Sequence, residues 1–197
     1  MKKKFLNTTV NFLKKYNDYT EEEIKKLKYG LEGLYLTLTK LVVIIILAIL
    51  LGIFKEVILI LIFFNIIRFT GFGFHANKSW ECLILSTSYF IIIPLIFLNI
   101  DISEFTQLII CIICIISYLL FAPADTVKRP LPNKKKRIIR KTFTVIIGII
   151  YTALLFILPK LNTVLLSALV IQAIIINPLL YKLFGQPYNN YKNYIKT

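Results

Sequence analysis

The sequence is poor in the residues that build metal and disulfide sites. It has one histidine, His75, and three cysteines, of which Cys111 and Cys114 fall inside an apolar run. The loops between apolar runs therefore hold one thiol and one imidazole, too few for a zinc ligand set or a disulfide framework. A Gly-rich phosphate-binding loop and internal repeats are also missing. We expect no metal and no other cofactor.

Acidic residues are scarce too, and this bears on the kind of partner. Lys and Arg number 24, against 10 Asp and Glu. A basic excess can indicate nucleic-acid binding, but here it lies on short segments between apolar runs and lacks the interleaved aromatic rings that stack on bases. Lipid headgroups and the preference of basic loops for the cytoplasmic side explain it better. We expect the lipid bilayer, and no nucleic acid, as a partner.

Apolar residues are abundant: they make up 57% of the chain, and the mean hydropathy of +0.75 lies outside the range of soluble domains. About 20 apolar residues cross the hydrocarbon core of a bilayer. Six apolar segments approach that length, at about 34–54, 56–67, 83–100, 105–122, 143–159 and 161–181. The second is short for a span. We therefore predict an all-α, polytopic integral membrane protein with about six transmembrane helices, forming a single membrane domain over residues 1–197.

The charge pattern supports the count of six and assigns the sides of the membrane. Placing both termini in the cytoplasm puts every basic residue except Lys55 and Lys160 on the cytoplasmic side. Five or seven spans would scatter the charge over both sides, so the pattern favours the short second segment as a span. In this topology residues 68–82 form a cytoplasmic loop, and residues 123–142 form a second, strongly basic cytoplasmic loop.

The N-terminal region, residues 1–33, is predicted to be an interfacial amphipathic helix that runs into the first span. Apolar residues recur at helical spacing from Ile24 to Leu34, and Thr20 and Glu23 have the spacing of a capping box. Such a helix can anchor the chain to the membrane surface or dock a partner helix. We favour the anchor.

The polar stretch "RFTGFGFHANKSWEC", residues 68–82, combines His75 with Cys82. A thiol and an imidazole are the minimal nucleophile and base pair for acyl transfer. With Ser79 as the N-cap, Cys82 would be the third residue of the next helix, where the positive helix end favours an anion. On one straight helix the two side chains would be about 10 Å apart along the axis. The chain must therefore bend back, and glycines in the loop permit it.

Other polar residues in apolar surroundings receive structural interpretations. Cys111 and Cys114 are expected to serve packing. Asn65, Gln172 and Asn177 either bond between helices or line a substrate cavity, and we favour bonding. Glu81 adjoins Cys82 but points about 100° away on a helix, so it is a poor orienter for His75. No third catalytic group is predicted.

These motifs resemble those of the accessory gene regulator B (AgrB) family, membrane cysteine endopeptidases of bacterial peptide quorum sensing. The matching residues are Arg68, the Gly73-x-His75-Ala76 motif and Cys82, followed by the segment "FAPADTVKRPLP" and its basic cluster. One departure is Phe72, which stands where the family usually has the first of two adjacent glycines.

The resemblance implies a site and a substrate. Cys82 would be the nucleophile and His75 the general base and acid, with Arg68 and Gly73 supporting the site. The substrate would be an AgrD-like precursor peptide, cleaved at its C-terminal tail through an acyl-thioester and cyclised to a thiolactone or lactone. A homodimer in the bacterial cytoplasmic membrane is also implied.

Two questions stay open at the level of sequence. The basic cluster Lys134, Lys135, Lys136 and Arg137 can bind the acidic tail of such a precursor or merely fix the topology. The alternative function is a non-enzymatic small-peptide transporter or export component, in which the polar loop is a gate and Gln172 and Asn177 line a path.

Overall fold

The computed structural model describes residues 2–16, 19–76, 78–127 and 130–195. The chain divides into two compact units, residues 1–46 and 47–197, each described by itself. The residues outside these ranges are Asn17 and Asp18 of the predicted amphipathic region, Asn77 of the predicted 68–82 loop, Lys128 and Arg129 of the predicted basic loop, and the terminal residues 1, 196 and 197. Over the described ranges every named element is helical, which agrees with the predicted all-α class.

In the first unit, the region predicted as one amphipathic helix is interrupted. Helix α1 spans Lys2–Leu13, and α2 begins afresh and spans Glu21–Leu50. The predicted capping box is present at the start of α2: the Thr20 N–H donates to Glu23 Oε2 at 2.9 Å, and the Glu23 N–H donates to Thr20 Oγ1 at 3.3 Å. Two exposed N–H groups are thereby satisfied. The polar start of α2 runs without a break into its apolar part.

The second unit contains helices α3 to α7, followed by two short helices. Their bounds are α3 Phe54–Gly71, α4 Ser79–Asn99, α5 Glu104–Phe121, α6 Lys134–Ile157, α7 Asn162–Ile176, α8 Pro178–Leu183 and α9 Lys192–Ile195, with a 3₁₀ turn at Pro159–Leu161 before α7.

Five described helices are long and apolar enough to cross a membrane: α2, α4, α5, α6, and α7 with its preceding turn. The short second apolar segment proves to be the middle of the 18-residue helix α3. At a rise of 1.5 Å per residue α3 is about 27 Å long, but it carries Lys55, Glu56 and Arg68 at its ends. The protein is therefore a multi-pass membrane protein, and the predicted count of six spans is approximate.

Helix α7 is the centre of the second unit. It packs against α3, α4, α5 and α6. More than half of its span is buried, whereas less than a quarter of each of the other spanning helices is buried. The Tyr118 hydroxyl on α5 donates to the Leu169 carbonyl of α7 at 2.6 Å. Cys111 and Cys114 are buried in this core, as expected for packing residues.

The last predicted apolar segment, 161–181, is broken in the structure. Helix α7 ends at Ile176, and Pro178 begins α8 because proline tolerates the first position of a helix but not its interior. Asn177 caps α8, accepting a hydrogen bond from the Leu179 N–H at 2.9 Å. Asn65 bonds the Leu61 carbonyl of its own helix. The expected bonds between helices are thus wrong for Asn65 and Asn177, and both amides serve local backbone groups.

Membrane topology can be tested with reporter fusions at Ser103 and Asn133, the N-cap residues of α5 and α6. Because the single spanning helix α5 lies between them, the two fusions should report opposite sides, with Asn133 in the cytoplasm. A fusion at Gly185, two spanning helices further on, is the control and should match Asn133. Equal signals at Ser103 and Asn133 would contradict the topology.

Candidate active site

The connection between α3 and α4 is shorter than the predicted 68–82 loop. Arg68 lies in the last turn of α3 and Cys82 in the first turn of α4, so residues 72–78 make the connection. Phe72 has φ 55° and ψ −140°, and Gly73 has φ 127°. Two successive residues with positive φ turn the chain sharply away from the axis of α3.

The turned backbone is held by two distant segments. The Gly73 N–H donates to the Ala124 carbonyl at 2.9 Å, and the Ala124 N–H donates to the Gly71 carbonyl at 3.0 Å. The Phe74 N–H donates to the Ile175 carbonyl, at the end of α7, at 2.7 Å. The loop is therefore fixed by main-chain bonds to the 122–126 segment and to the central helix.

Arg68 binds the carbonyl oxygens on the other side of the turn. Its Nη1 donates to the Phe72 carbonyl at 2.7 Å, and its Nη2 donates to the carbonyls of Gly73 at 3.1 Å and Phe74 at 2.7 Å. Gln172 Nε2 also donates to the Phe72 carbonyl, at 3.1 Å. Hydrogen bonds from a charged donor are about twice as strong as neutral ones. Arg68 and Gly73, predicted from the sequence to support the site, both lie in this turn.

The turn brings His75 and Cys82 together. His75 Nδ1 lies 3.8 Å from Cys82 Sγ. The imidazole is exposed and the thiol half-buried, whereas the other two cysteines are buried in the core. The two predicted catalytic residues are thus neighbours, within reach of a proton transfer once a substrate tightens the contact.

The predicted N-cap at Ser79 is wrong. Lys78 occupies the N-cap position of α4 without a side-chain capping bond, so Ser79 is the first helical residue. The Cys82 N–H already donates to the Lys78 carbonyl at 3.1 Å. Cys82 is therefore the fourth helical residue, and the N–H groups of the three residues before it have no carbonyl partner within the helix. Glu81 forms an ion pair with Lys78 at 3.5 Å.

The predicted basic loop is partly helical. Residues 134–142 form the first turns of α6, which Asn133 caps by accepting the Lys136 N–H at 3.0 Å. Lys134, Lys135 and Lys136 are exposed. A run of charged residues does not by itself indicate a loop. Lysines have good helix propensity, so the backbone hydrogen bonds of α6 extend through them.

Arg137 differs from the three lysines because it points inward. It pairs with Asp125 at 3.5 Å, and its guanidinium lies 3.4 Å from the centre of the Tyr191 ring. Asp125 is fully buried and also accepts the Leu131 N–H at 3.3 Å. Sequence reasoning missed Asp125, although it is the single acidic residue in the basic stretch 123–142.

Two further residues were missed. Arg140 Nη1 donates to the Phe69 carbonyl at 2.6 Å, and its guanidinium lies 4.4 Å from the centre of the Phe72 ring. Gln186 Nε2 donates to the His75 carbonyl at 2.9 Å. Their bonds to backbone carbonyls leave no signal in a single sequence.

The tyrosines beside the site act as neutral donors. Burial raises the pKa of Tyr188 to about 12, although the positive charge of the nearby Arg137 lowers this pKa in part. At neutral pH its hydroxyl is therefore protonated, and it donates to the Phe121 carbonyl at 3.2 Å. Among the described residues, no group of three or more His, Cys, Asp or Glu side chains lies together in a way that would hold a metal ion.

Comparisons with known proteins agree with the resemblance noted in the sequence. The model of the accessory gene regulator B family matches residues 6–177. An AgrB-like protein of Listeria innocua is 31% identical over 176 residues, covering 88% of this chain and 86% of its own. The accessory gene regulator protein B of Staphylococcus aureus is 29% identical over 170 residues, covering 86% and 91% respectively. No solved structure matches the chain.

Substituting Gly73 tests the turn. In Gly73→Ala, the added Cβ would collide with the Arg68 guanidinium and lie 2.9 Å from the Ile175 carbonyl oxygen, in a backbone conformation that side chains rarely adopt. We expect the free energy of unfolding to fall by at least about 2 kcal/mol, measured by denaturation in detergent. The control is Gly33→Ala in α2, where no atom lies within 4 Å and stability should not fall. Equal stability of Gly73→Ala and wild type would contradict the described turn.

Proposed function

The chain belongs to the accessory gene regulator B family, and from this we propose that it is a membrane-embedded cysteine endopeptidase that processes an AgrD-like autoinducer precursor. The observation that carries the proposal is the contact of 3.8 Å between His75 Nδ1 and Cys82 Sγ. The substrate class rests on the family, whereas the reaction type rests on the pairing of a thiol with an imidazole.

Cleavage would proceed in one acyl-transfer step. Cys82 Sγ attacks a peptide carbonyl of the precursor while His75 Nδ1 takes the thiol proton. The oxygen of the tetrahedral intermediate accepts hydrogen bonds from N–H groups in the first turn of α4, which are not used within the helix. When the C–N bond breaks, His75 returns the proton to the leaving amine. The C-terminal tail departs and the rest of the precursor stays on Cys82 as a thioester.

Ring formation would follow from the same thioester. A cysteine or serine within the precursor attacks the acyl carbon, the bond to Cys82 Sγ breaks, and the proton of the attacking group passes through His75 back to the thiolate. The product is a thiolactone or a lactone, and no separate activation step is needed because the acyl carbon is already held as a thioester. A half-buried thiol at a membrane surface also limits attack by water.

The three exposed lysines at the start of α6 are suited to the acidic tail of the precursor. They occupy the first three positions of the helix, where the positive helix end disfavours cations, and the first turn contains no acidic residue. A basic loop that served topology alone could carry its charges outside the helix terminus. An acidic peptide, by contrast, gains from both the lysines and the helix end. This position therefore favours peptide binding.

A transporter is the second candidate, and the structure offers it little support. Gln172 donates to the Phe72 carbonyl, and Asn177 caps α8. The side chains expected to line a transport path are thus engaged in holding the loop and a helix end. We keep the enzyme as the proposed function, and the homodimer implied by the family remains part of that proposal.

The dyad is tested by processing of a reconstituted precursor. Cys82→Ala should abolish cleavage but retain precursor binding, because the nucleophile is lost and the docking surfaces remain. His75→Ala should lower the cleavage rate by a factor of about 10² to 10⁴.

The matched control for the dyad is the double variant Cys111→Ala/Cys114→Ala, which removes two buried thiols. It should cleave normally once membrane levels are equalised. Normal cleavage by Cys82→Ala, or loss of cleavage in the control alone, would mean that the mechanism is wrong. Continued passage of peptide without any cleavage by the wild type would favour the transporter.

The lysines are tested separately from Arg137. Replacing Lys134, Lys135 and Lys136 by Gln should weaken binding of a precursor with an acidic tail about tenfold at low salt. Each exposed ion pair between a lysine and an acidic residue of the precursor contributes ~0.5 kcal/mol to the binding free energy. The remaining binding should depend less on salt. The control replaces the exposed Lys182 and Lys192 on the same predicted side. Unchanged binding with disturbed membrane insertion would show that the lysines serve topology alone.

A further inference from the structure

The segment after α7 reaches back to the loop that carries His75. We infer that this segment completes the catalytic site and that Gln186 is a positioning residue for His75. The inference rests on the proposed function, because it assigns Gln186 a role in the chemistry of the dyad. It concerns a part of the chain beyond residue 177, where the match to the family model ends.

Gln186 is held in place by the way α8 ends. Gly185 has φ 60°, its N–H donates to the Lys182 carbonyl at 3.1 Å, and the Gln186 N–H donates to the Tyr181 carbonyl at 2.8 Å. This pair of bonds is a Schellman motif, which glycine favours because it adopts positive φ without strain. Pro187 follows and prevents the helix from continuing. The backbone of Gln186 is therefore fixed, and its amide is aimed at the His75 carbonyl, 2.9 Å away.

The same segment contacts the other parts of the site. The centre of the Phe74 ring lies 5.6 Å from that of Tyr181 and 5.1 Å from that of Phe184. The Tyr181 hydroxyl donates to the Ala124 carbonyl at 3.1 Å. The Tyr191 ring stacks on Arg137 at the start of α6. The segment after α7 thus contacts the loop that carries His75, the 122–126 segment and the start of α6.

Gln186 binds the carbonyl that comes next in the chain after those bound by Arg68. Arg68 binds the carbonyls of residues 72 to 74, whereas the next carbonyl, that of His75, is bound by Gln186. His75 is an exposed residue of the connecting loop. Fixing the carbonyl restricts the peptide that follows His75, and thereby the direction in which the imidazole points. Loss of this bond would remove one restraint on the imidazole beside the thiol, while the bonds of Arg68 to the carbonyls of residues 72 to 74 remain.

The experiment compares Gln186→Glu with Gln186→Ala. The glutamate has the same shape but, when ionised, no donor for the His75 carbonyl. Both variants should process the precursor about three- to tenfold more slowly at saturation, the effect of one lost hydrogen bond. The precursor concentration at half-maximal rate should stay the same, because Lys134 to Lys136 are untouched. The control is Gln107→Glu in α5, which removes a bond of the same kind and length, to the Ile102 carbonyl.

A second measurement separates positioning from general structural damage. The rate at which Cys82 reacts with iodoacetamide is followed against pH, with the labelled peptide identified by mass. Displacing His75 removes the base beside the thiol, so the profile of both Gln186 variants should move to higher pH, towards that of His75→Ala. A merely structural loss would lower the amount of folded protein and leave the midpoint unchanged.

The outcomes distinguish this inference from the function on which it rests. Wild-type processing and a wild-type pH profile in Gln186→Glu, with Cys82→Ala inactive, would overturn the role of Gln186 and leave the endopeptidase intact. An active Cys82→Ala would overturn the endopeptidase itself. Slower processing with an unchanged pH profile would show that Gln186 does not act through His75, and would also overturn the inference.

Discussion

The site depends on one cation and the carbonyl oxygens that surround it. Arg68 is partly buried near the end of α3 and donates to three successive carbonyls of the following loop. A guanidinium withdrawn from water must find acceptors, because an unpaired buried charge costs several kcal/mol. Three successive carbonyls converge on it only because the backbone has positive φ at Phe72 and Gly73. The ion and the turn therefore require each other, and a glycine is needed where the guanidinium occupies the place of a Cβ.

The bend between His75 and Cys82 could be predicted because helix geometry is fixed. Seven residues of straight helix would separate the side chains by about 10 Å, so a functional pair demands a turn. What holds the turn could not be predicted. Its partners are the backbone groups of Ala124 and Ile175 and the amide of Gln186, all more than 40 residues away along the chain. A backbone carbonyl has the same chemistry in every residue, so no side-chain pattern marks it as an acceptor. The catalytic roles themselves remain predictions.

Hydropathy located the spanning helices but not their ends. Helix α6 begins at Lys134, well before the apolar segment that starts near residue 143, and α2 begins at Glu21. Hydropathy registers side chains, whereas a helix continues as long as its backbone bonds do, and lysine and glutamate favour it. The opposite error occurs at Asn177, where an apolar run continues but the helix stops because Pro178 has no N–H to donate.

Phe72 shows how a departure from the family pattern is accommodated. Its φ of 55° suits the glycine that the family usually has there, and a residue with a side chain is strained in this conformation by about 1 to 3 kcal/mol. Opposing contacts hold it: Arg68 and Gln172 both donate to its carbonyl, and Arg140 lies 4.4 Å from the centre of its ring. Glycine would relieve the strain but offer no ring to Arg140. The side chain therefore ties the loop that carries His75 to α6, the helix whose first turn carries the exposed lysines. The strain at Phe72 is offset by this contact with Arg140.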